Sequence, residues 1–369
     1  MKVAFNDLGR ATQAVRAELD AAVARVLDSG WYVLGEEGRA FEAEFASALG
    51  AGAAAGVANG TDAVELALRA LDVGVGDEVV TQANTCIPTI SGIERAGATP
   101  VLCDVEREAG TLDVASLESR ITDRTKAIVP VHLYGQCAEM DPILALAADR
   151  GIPVVEDCAQ AHLARYRGRT AGTMGTLGAF SFYPTKNLGA LGDGGAVVAR
   201  DPELADRVRL LRMYGQAGRY EHVDHGVNSR LDELQAAMLR AKLAHLGEWH
   251  ERRNAIAAAY DAALAGTPVR PLAKLPEREH AYHLYVAVAE DRDAFQAAMA
   301  DAGVGTLVHY PRPVHGHEPY RSLGDGVSLA NAEWLADRVV SLPIYPELTD
   351  AEVEHVTASV GAAARGGVG

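Results

Sequence analysis

Short β-branched runs alternate with helical stretches through the first two thirds of this chain, and that alternation restricts its fold more than any other feature. Seven segments read as strands: Ala55–Asn59, Glu78–Gln82, Thr99–Val105, Ala127–Leu133, Pro153–Cys158, Gly178–Pro184 and Gly195–Arg200. Helical patterns over Asp62–Leu71, Asp113–Arg120 and Pro142–Arg150 fall between several of them. Strands separated by helices imply an α/β fold: a largely parallel sheet covered on both faces. Ligands on such sheets gather at the carboxyl ends of strands. The residues just after each strand are therefore the candidates for chemistry.

The pattern changes in the last third. Ser229–Leu246 reads as a helix, with Ser229 as cap and Asp232 three residues on in a capping-box arrangement. Leu231, Leu234, Met238 and Ala241 recur on one face of it. His250–Leu264 reads as a second long helix. Gly266 to Glu279, rich in Pro and charge, reads as a hinge into a smaller α+β domain. There, Tyr282–Val288 and Gly305–Tyr310 read as strands, Ala294–Ala302 as a helix, Ser341–Tyr345 as a further strand, and a last helix starts near Asp350. At 369 residues the chain suggests two domains, by a rule of roughly 150 residues each. The expected division is a large domain over 1–248 and a small one over 249–369. Arg365–Gly369 are expected to fray.

A net charge of −16 with no basic tract argues against nucleic acid, because neutralising phosphates needs clustered Lys and Arg. It argues against anionic membrane surfaces for the same reason. No strongly apolar run is long enough to span a bilayer, and Met1–Leu8 has no apolar core of signal-peptide length. Cys86, Cys103, Cys137 and Cys158 lie far apart and read as reduced, mostly buried thiols. A soluble cytoplasmic protein is expected.

The segment Gly178–Gly195 carries one lysine, Lys186, between an apolar strand and a glycine-rich turn. A desolvated lysine loses its charge readily and becomes a nucleophile towards carbonyls. Pyridoxal phosphate is the commonest carbonyl partner of such a lysine; a surface loop lysine is the alternative. Asp157 closes the strand Ile152–Asp157, where a carboxylate is costly unless it meets a positive charge. The protonated ring nitrogen of pyridoxal phosphate is such a charge, and a simple N-cap is the alternative. Gln160, three residues on, shares its side if a helical turn starts there, and could then reach the phenolic oxygen. Asn59-Gly-Thr-Asp62 opens a helix, where free amides and the Thr61 hydroxyl could cradle a phosphate beside Gly60. A βα turn capped by Thr is the alternative. Ser181 could add a hydroxyl to the same phosphate.

These segments occur in the order of fold-type-I pyridoxal-phosphate enzymes: phosphate turn, ring-nitrogen acid, lysine. Their wording resembles the DegT/StrS-type nucleotide-sugar aminotransferases. The matching stretches are Gly30-Trp-Tyr-Val-Leu-Gly35, Ala58-Asn-Gly-Thr-Asp-Ala63, Val131-His-Leu-Tyr-Gly135, Glu156-Asp-Cys-Ala-Gln-Ala-His162, Phe180-Ser-Phe-Tyr-Pro-Thr-Lys-Asn187 and Gly226-Val-Asn-Ser-Arg-Leu-Asp-Glu-Leu-Gln-Ala-Ala237. The resemblance runs from about residue 5 to residue 348. It implies a seven-stranded, mostly parallel sheet and a small C-terminal domain. It implies that Lys186 bonds the cofactor aldehyde and shuttles the proton. Asp157 would pair with the pyridine nitrogen, Gln160 would touch the phenolic oxygen, and Gly60, Thr61 and Ser181 would hold the phosphate. Asn228 would reach the phosphate of the neighbouring subunit's cofactor, making a homodimer the functional unit.

Where many relatives place an aromatic over the cofactor ring, this chain has Cys86, within Asn84-Thr-Cys-Ile-Pro-Thr89. The Asn-Thr-x-Ile wording leans towards amination at sugar C3 rather than C4. The implied reaction moves an amino group from L-glutamate to a keto sugar on a nucleotide diphosphate, dTDP being the expected carrier. Tyr183, Arg219, His309 and Tyr310 are substrate candidates, and Arg230 and His315 are further cations for the diphosphate. Trp31 and Tyr32 read either as pocket wall or as core. His309, His315 and His317 lack the accompanying ligand spacing of a metal site, so no metal is expected. A sugar dehydratase is disfavoured because relatives of that type replace the lysine with histidine. A non-catalytic regulator would leave Lys186, Asp157 and Gln160 without use. A nicotinamide dehydrogenase would need Gly-x-Gly-x-x-Gly after the first strand, which has Asn59-Gly-Thr-Asp62 instead.

Overall fold

The computed structural model describes residues 1–366. All seven expected strands form: β1 (Ala53–Val57), β2 (Glu78–Gln82), β3 (Thr99–Cys103), β4 (Thr125–Val129), β5 (Val155–Asp157), β6 (Leu177–Ser181) and β7 (Gly195–Ala199). They run in the order β3-β2-β4 and β5-β6-β7-β1. Parallel bridges between Ile128 and Val154 and between Val131 and Asp157 join β4 to β5, making one sheet. β7 is antiparallel to both β1 and β6. Its connection from β6, residues 182–194, holds no helix. A return to parallel pairing needs a crossover, so the chain doubles back instead. The carboxyl ends of the other six strands and the start of β7 therefore lie along one edge.

Strands β2, β6 and β7 are buried along their whole length, which fits a sheet covered on both sides. On one face, Phe45 from the helix Glu36–Leu49 stands edge-on to Phe180 and Phe182, with ring centroids 5.1 and 5.2 Å apart. On the other, Leu66 and Leu68 of the helix Gly60–Ala70 join Val79, Val129 and Val197. Burying each such side chain is worth ~1.5–3 kcal/mol. The smaller C-terminal sheet is antiparallel, in the order β8 (Arg270–Pro271), β9 (Tyr285–Val288), β10 (Val339–Leu342). Helices Leu246–Leu264, Arg292–Asp301 and Asp350–Gly366 pack with it. Val3 also pairs with Val304, tying the start of the chain to this part of the fold.

Three expectations need correction. The helix read as Ser229–Leu246 is Glu233–Leu243, followed by a break and then Leu246–Leu264. Ser229 does not cap it; that hydroxyl is fully buried and bonded elsewhere, and Asp232 makes no side-chain cap bond. Glu233 turns instead to the start of the helix Glu36–Leu49, accepting from the amides of Gly35, Glu37 and Gly38 at 2.8–2.9 Å. Free amides at a helix start are satisfied by such a carboxylate. Gly305–Tyr310 is not a strand and makes only an isolated bridge, Leu307 to Ser341. Pro311 and Pro313 follow it, and neither has an N–H to extend a ladder. Trp31 and Tyr32 are exposed, which excludes the core reading. Arg365 and Gly366 continue the last helix; residues 367–369 lie outside those described.

Glu156, at the centre of β5, is wholly buried and saturated. It accepts from the amides of Gly172, Met174 and Gly175 at 2.7–2.9 Å and from His132 Nε2 at 2.8 Å. His132 Nδ1 takes the Ala138 amide, so the proton sits on Nε2. His132, Glu156 and Cys158 cluster closely, but this bonding makes Glu156 and His132 a structural tie. Glu156→Ala would strand three buried amides and is expected to lower unfolding free energy by about 3 kcal/mol or more, measured by chemical denaturation.

Candidate active site

The strand ends enclose a cavity of about 650 Å³. Gly60, Thr61, Cys86, Asp157, Gln160, Ser181, Tyr183 and Lys186 line it from the large sheet's side. His283, His309 and Tyr310 line it from the C-terminal part.

At one end the helix Gly60–Ala70 begins. Asn59, not Thr61, caps it, accepting from the Asp62 amide at 2.9 Å. The packing here is backbone to backbone. A Cβ on Gly60 would stand 2.6 Å from Ser181 Cβ, and one on Gly195 would stand 2.4 Å from the Asn59 carbonyl. β1, β6 and β7 thus bring helix amides, the Thr61 side chain and the Ser181 hydroxyl to one corner. Such a corner favours an anion.

Asp157 faces the cavity from the end of β5. It accepts from Thr89 Oγ1 at 2.8 Å and from the Ala159 amide at 3.0 Å, and no cationic side chain pairs with it. Residues 158–163 form turns rather than the expected helix start. Gln160 nevertheless lines the same cavity. It accepts from the Tyr134 amide at 2.7 Å and donates to Tyr310 Oη at 3.1 Å. Tyr134 Oη donates to the His309 carbonyl at 2.5 Å. Burial pushes the Tyr310 phenol well above its ordinary range, keeping it protonated.

Burial also lowers the Lys186 pKa from the ordinary lysine value, opposed by Cys86 and Asp157. That favours the neutral, nucleophilic amine. Burial, assisted by Lys186, holds His309 down to about 4 and His283 well below its usual value. Its Nδ1 within 2.8 Å of Ser341 Oγ also fixes His309. His283 Nδ1 is buried and has no partner.

Asn228, Arg219, Arg230 and His315 do not line this cavity, and neither do Trp31 and Tyr32. Asn228 and Arg219 are exposed on the segment around the hairpin Gln216–Gly218/Glu221–His222. Arg219 rests over the Tyr220 ring, 5.4 Å from its centroid. Of the other cations, His315 is engaged by Glu333 at 3.0 Å. Thr89, Tyr134 and His283 went unnoticed in the sequence. Thr89 has no local signal of its own within Asn84–Thr89, and His283 lies inside an apolar strand pattern.

One cavity lined by an anion corner, a carboxylate without a cationic partner among the described residues and a half-buried amine fits a phosphorylated pyridine aldehyde. The fold and site define a pyridoxal-phosphate enzyme of the α/β type. Residues 13–361 match the DegT/DnrJ/EryC1/StrS aminotransferase family. The chain belongs to that family, and it is a pyridoxal-phosphate-dependent aminotransferase. It is 49% identical over 350 residues to the dTDP-3-amino-3,4,6-trideoxy-alpha-D-glucose transaminase of Streptomyces venezuelae, covering 94% of this chain and 92% of that one. It is 49% identical over 366 residues to the erythromycin biosynthesis sensory transduction protein EryC1 of Saccharopolyspora erythraea, covering 99% and 100%. It superposes on crystalline S. venezuelae DesV in complex with a ketimine intermediate with a TM-score of 0.95, at 48% identity and 98% coverage of both chains.

Two outcomes follow. Gly60→Ala would force Ser181 away and is expected to weaken pyridoxal phosphate retention by roughly ten- to a hundredfold, measured by equilibrium titration. His309 is protonated below about 4 in the folded chain and near its ordinary 6.5 when unfolded. The unfolded state therefore binds more protons between those values, and stability falls as pH drops through that window. His309→Gln should flatten the slope of unfolding free energy against pH there.

Proposed function

We propose that this chain transfers the amino group of L-glutamate to C3 of a keto-deoxysugar carried on dTDP. The observation that carries the reading is Lys186, half-buried and shifted towards its neutral form, in one cavity with Asp157 and the Gly60–Ser181 corner. Relatives named as transaminases of 3-amino sugars, on dTDP and on UDP, support C3.

Gly60, Thr61 and Ser181 would hold the phosphate, Asp157 the ring nitrogen, and Gln160 the phenolic oxygen. When bound, pyridoxal phosphate supplies an aldehyde for amines and a ring that accepts an electron pair. Lys186 Nζ would hold that aldehyde between turnovers and would be the base that moves a proton from and to the substrate carbon. Such proton transfer contributes ~10²–10⁴-fold. Asp157 is held by Thr89 Oγ1 and the Ala159 amide, which would orient it for the ring nitrogen. Tyr310, Tyr183 and His309 would meet the sugar. Cys86 fills the place of a ring-stacking aromatic and leaves that face less covered.

The functional unit is read as a homodimer. Tyr220 is 81% exposed, and Val223 and Tyr214 are also open, on the hairpin segment that carries Arg219 and Asn228. A second copy covering it would bring Asn228 to the partner's phosphate corner and Arg219 towards the partner's diphosphate. The division at residue 248 into a cofactor domain and a small domain belongs to the same reading. No helix among the described residues is long and apolar enough to cross a membrane. The four cysteines are free, which suits a reducing cytoplasm. A regulatory role, suggested by two relatives' names, does not need Lys186, Asp157 and Gln160 gathered in a cavity.

The test is an absorption titration. Purified protein with pyridoxal phosphate should show a cofactor band that L-glutamate converts to the amine form. A dTDP-3-keto sugar should restore it faster than the 4-keto isomer. A band indifferent to L-glutamate contradicts the reading, and the reverse sugar preference moves the reaction to C4.

A further inference from the structure

The residue after Asn228 is bonded to the phosphate turn of its own chain. Ser229 is fully buried. Its hydroxyl donates to Asp62 Oδ2 at 2.6 Å and accepts from the Ala58 amide at 3.0 Å. Its amide donates to the Arg212 carbonyl at 3.0 Å, beside the bridge of Met213 with Asn228. Ala58 and Asp62 bracket the turn Asn59–Thr61 that lines the cavity's anion corner. Asp62 is itself buried and lies 3.1 Å from Arg95, a cavity-lining cation.

A second link runs along the same helix. Arg95 pairs with Glu65, Glu65 pairs with Arg69, and Arg69 donates to the His225 carbonyl. Asn228 is thus fixed on both sides, at His225 and at Ser229, to the helix whose first turn serves its own cavity.

We propose that Ser229, acting with Asp62, is a positioning residue that gears the two active sites of the dimer together. It holds Asn228, which would serve the neighbour's cofactor, in register with the turn that serves its own. The inference rests on the shared-site reading above. A hydroxyl donating to a buried carboxylate is the strong kind of hydrogen bond, and its loss frees both partners.

The test uses dimers with one live site, assembled from a Lys186→Ala subunit and an Asn228→Ala subunit. The live site takes Lys186 from the second subunit and Asn228 from the first. Ser229→Ala is then added to either subunit. Both placements are expected to weaken pyridoxal phosphate binding at the live site by roughly tenfold, one through the neighbour's Asn228 and one through the turn. Saturating cofactor should restore kcat, which damage to the fold would not allow. Asp62→Asn, which keeps an acceptor for the hydroxyl, should give a smaller loss in both placements. A live parental dimer whose affinity ignores Ser229→Ala, or responds in only one placement, overturns the gearing alone where the Asn228→Ala homodimer binds cofactor more weakly than that dimer, and overturns the shared site as well where the two bind equally. A dead parental dimer overturns the shared site, and the gearing with it.

Discussion

Close backbone packing between β1, β7 and β6 is the constraint on which the site depends. β7 doubles back between two parallel strands, and glycines stand where any Cβ would strike a neighbour: Gly60 at Ser181 and Gly195 at Asn59. That contact sets the helix Gly60–Ala70 with its first amides beside the Ser181 hydroxyl. It also sets where β6 delivers its next residues, including Lys186. The anion corner and the amine are therefore placed by one piece of sheet geometry.

The electrostatics follow from that placement. Lys186 has no carboxylate bonded to it, so burial dominates and lowers its affinity for a proton. The imidazoles of His162, His283 and His309 stay uncharged for the same reason, each also feeling Lys186. The carboxylates nearby are managed differently. Glu156 is consumed by four donors and stiffens β5. Asp157, the next residue, accepts only a threonine hydroxyl and one amide, and faces the cavity. Adjacent acids on one strand point to opposite sides, so one can be structural while the other meets a ligand.

The sheet was legible in the sequence because its strands are short, apolar and separated by helical patterns. The antiparallel turn of β7 was not, since periodicity carries no direction. Ser229 shows the limit of local rules: Ser-x-x-Asp before an apolar run resembles a cap, yet the hydroxyl finds Asp62, distant in sequence, and the helix starts later. Tertiary partners outbid a local cap when both ends are buried. That Lys186, Asp157, Gln160 and Ser181 would share a cavity was legible because each ends or follows a strand on the edge where the cavity lies. Thr89, Tyr134 and His283 were not, because their side chains matter only through what the fold brings opposite them. Asn228 and Arg219 do not line the cavity of their own chain, and the proposed second copy is what would give them a ligand.

The central claim is that the amine of Lys186 is the group that bonds the cofactor and moves the proton. The most direct measurement is exchange of the α-proton of L-glutamate with solvent deuterium, for the intact protein and for Lys186→Ala and Lys186→Arg, each saturated with pyridoxal phosphate. The account predicts a loss of at least ~10²–10⁴-fold in both variants, with folding and cofactor uptake preserved. Undiminished exchange in either variant would contradict it.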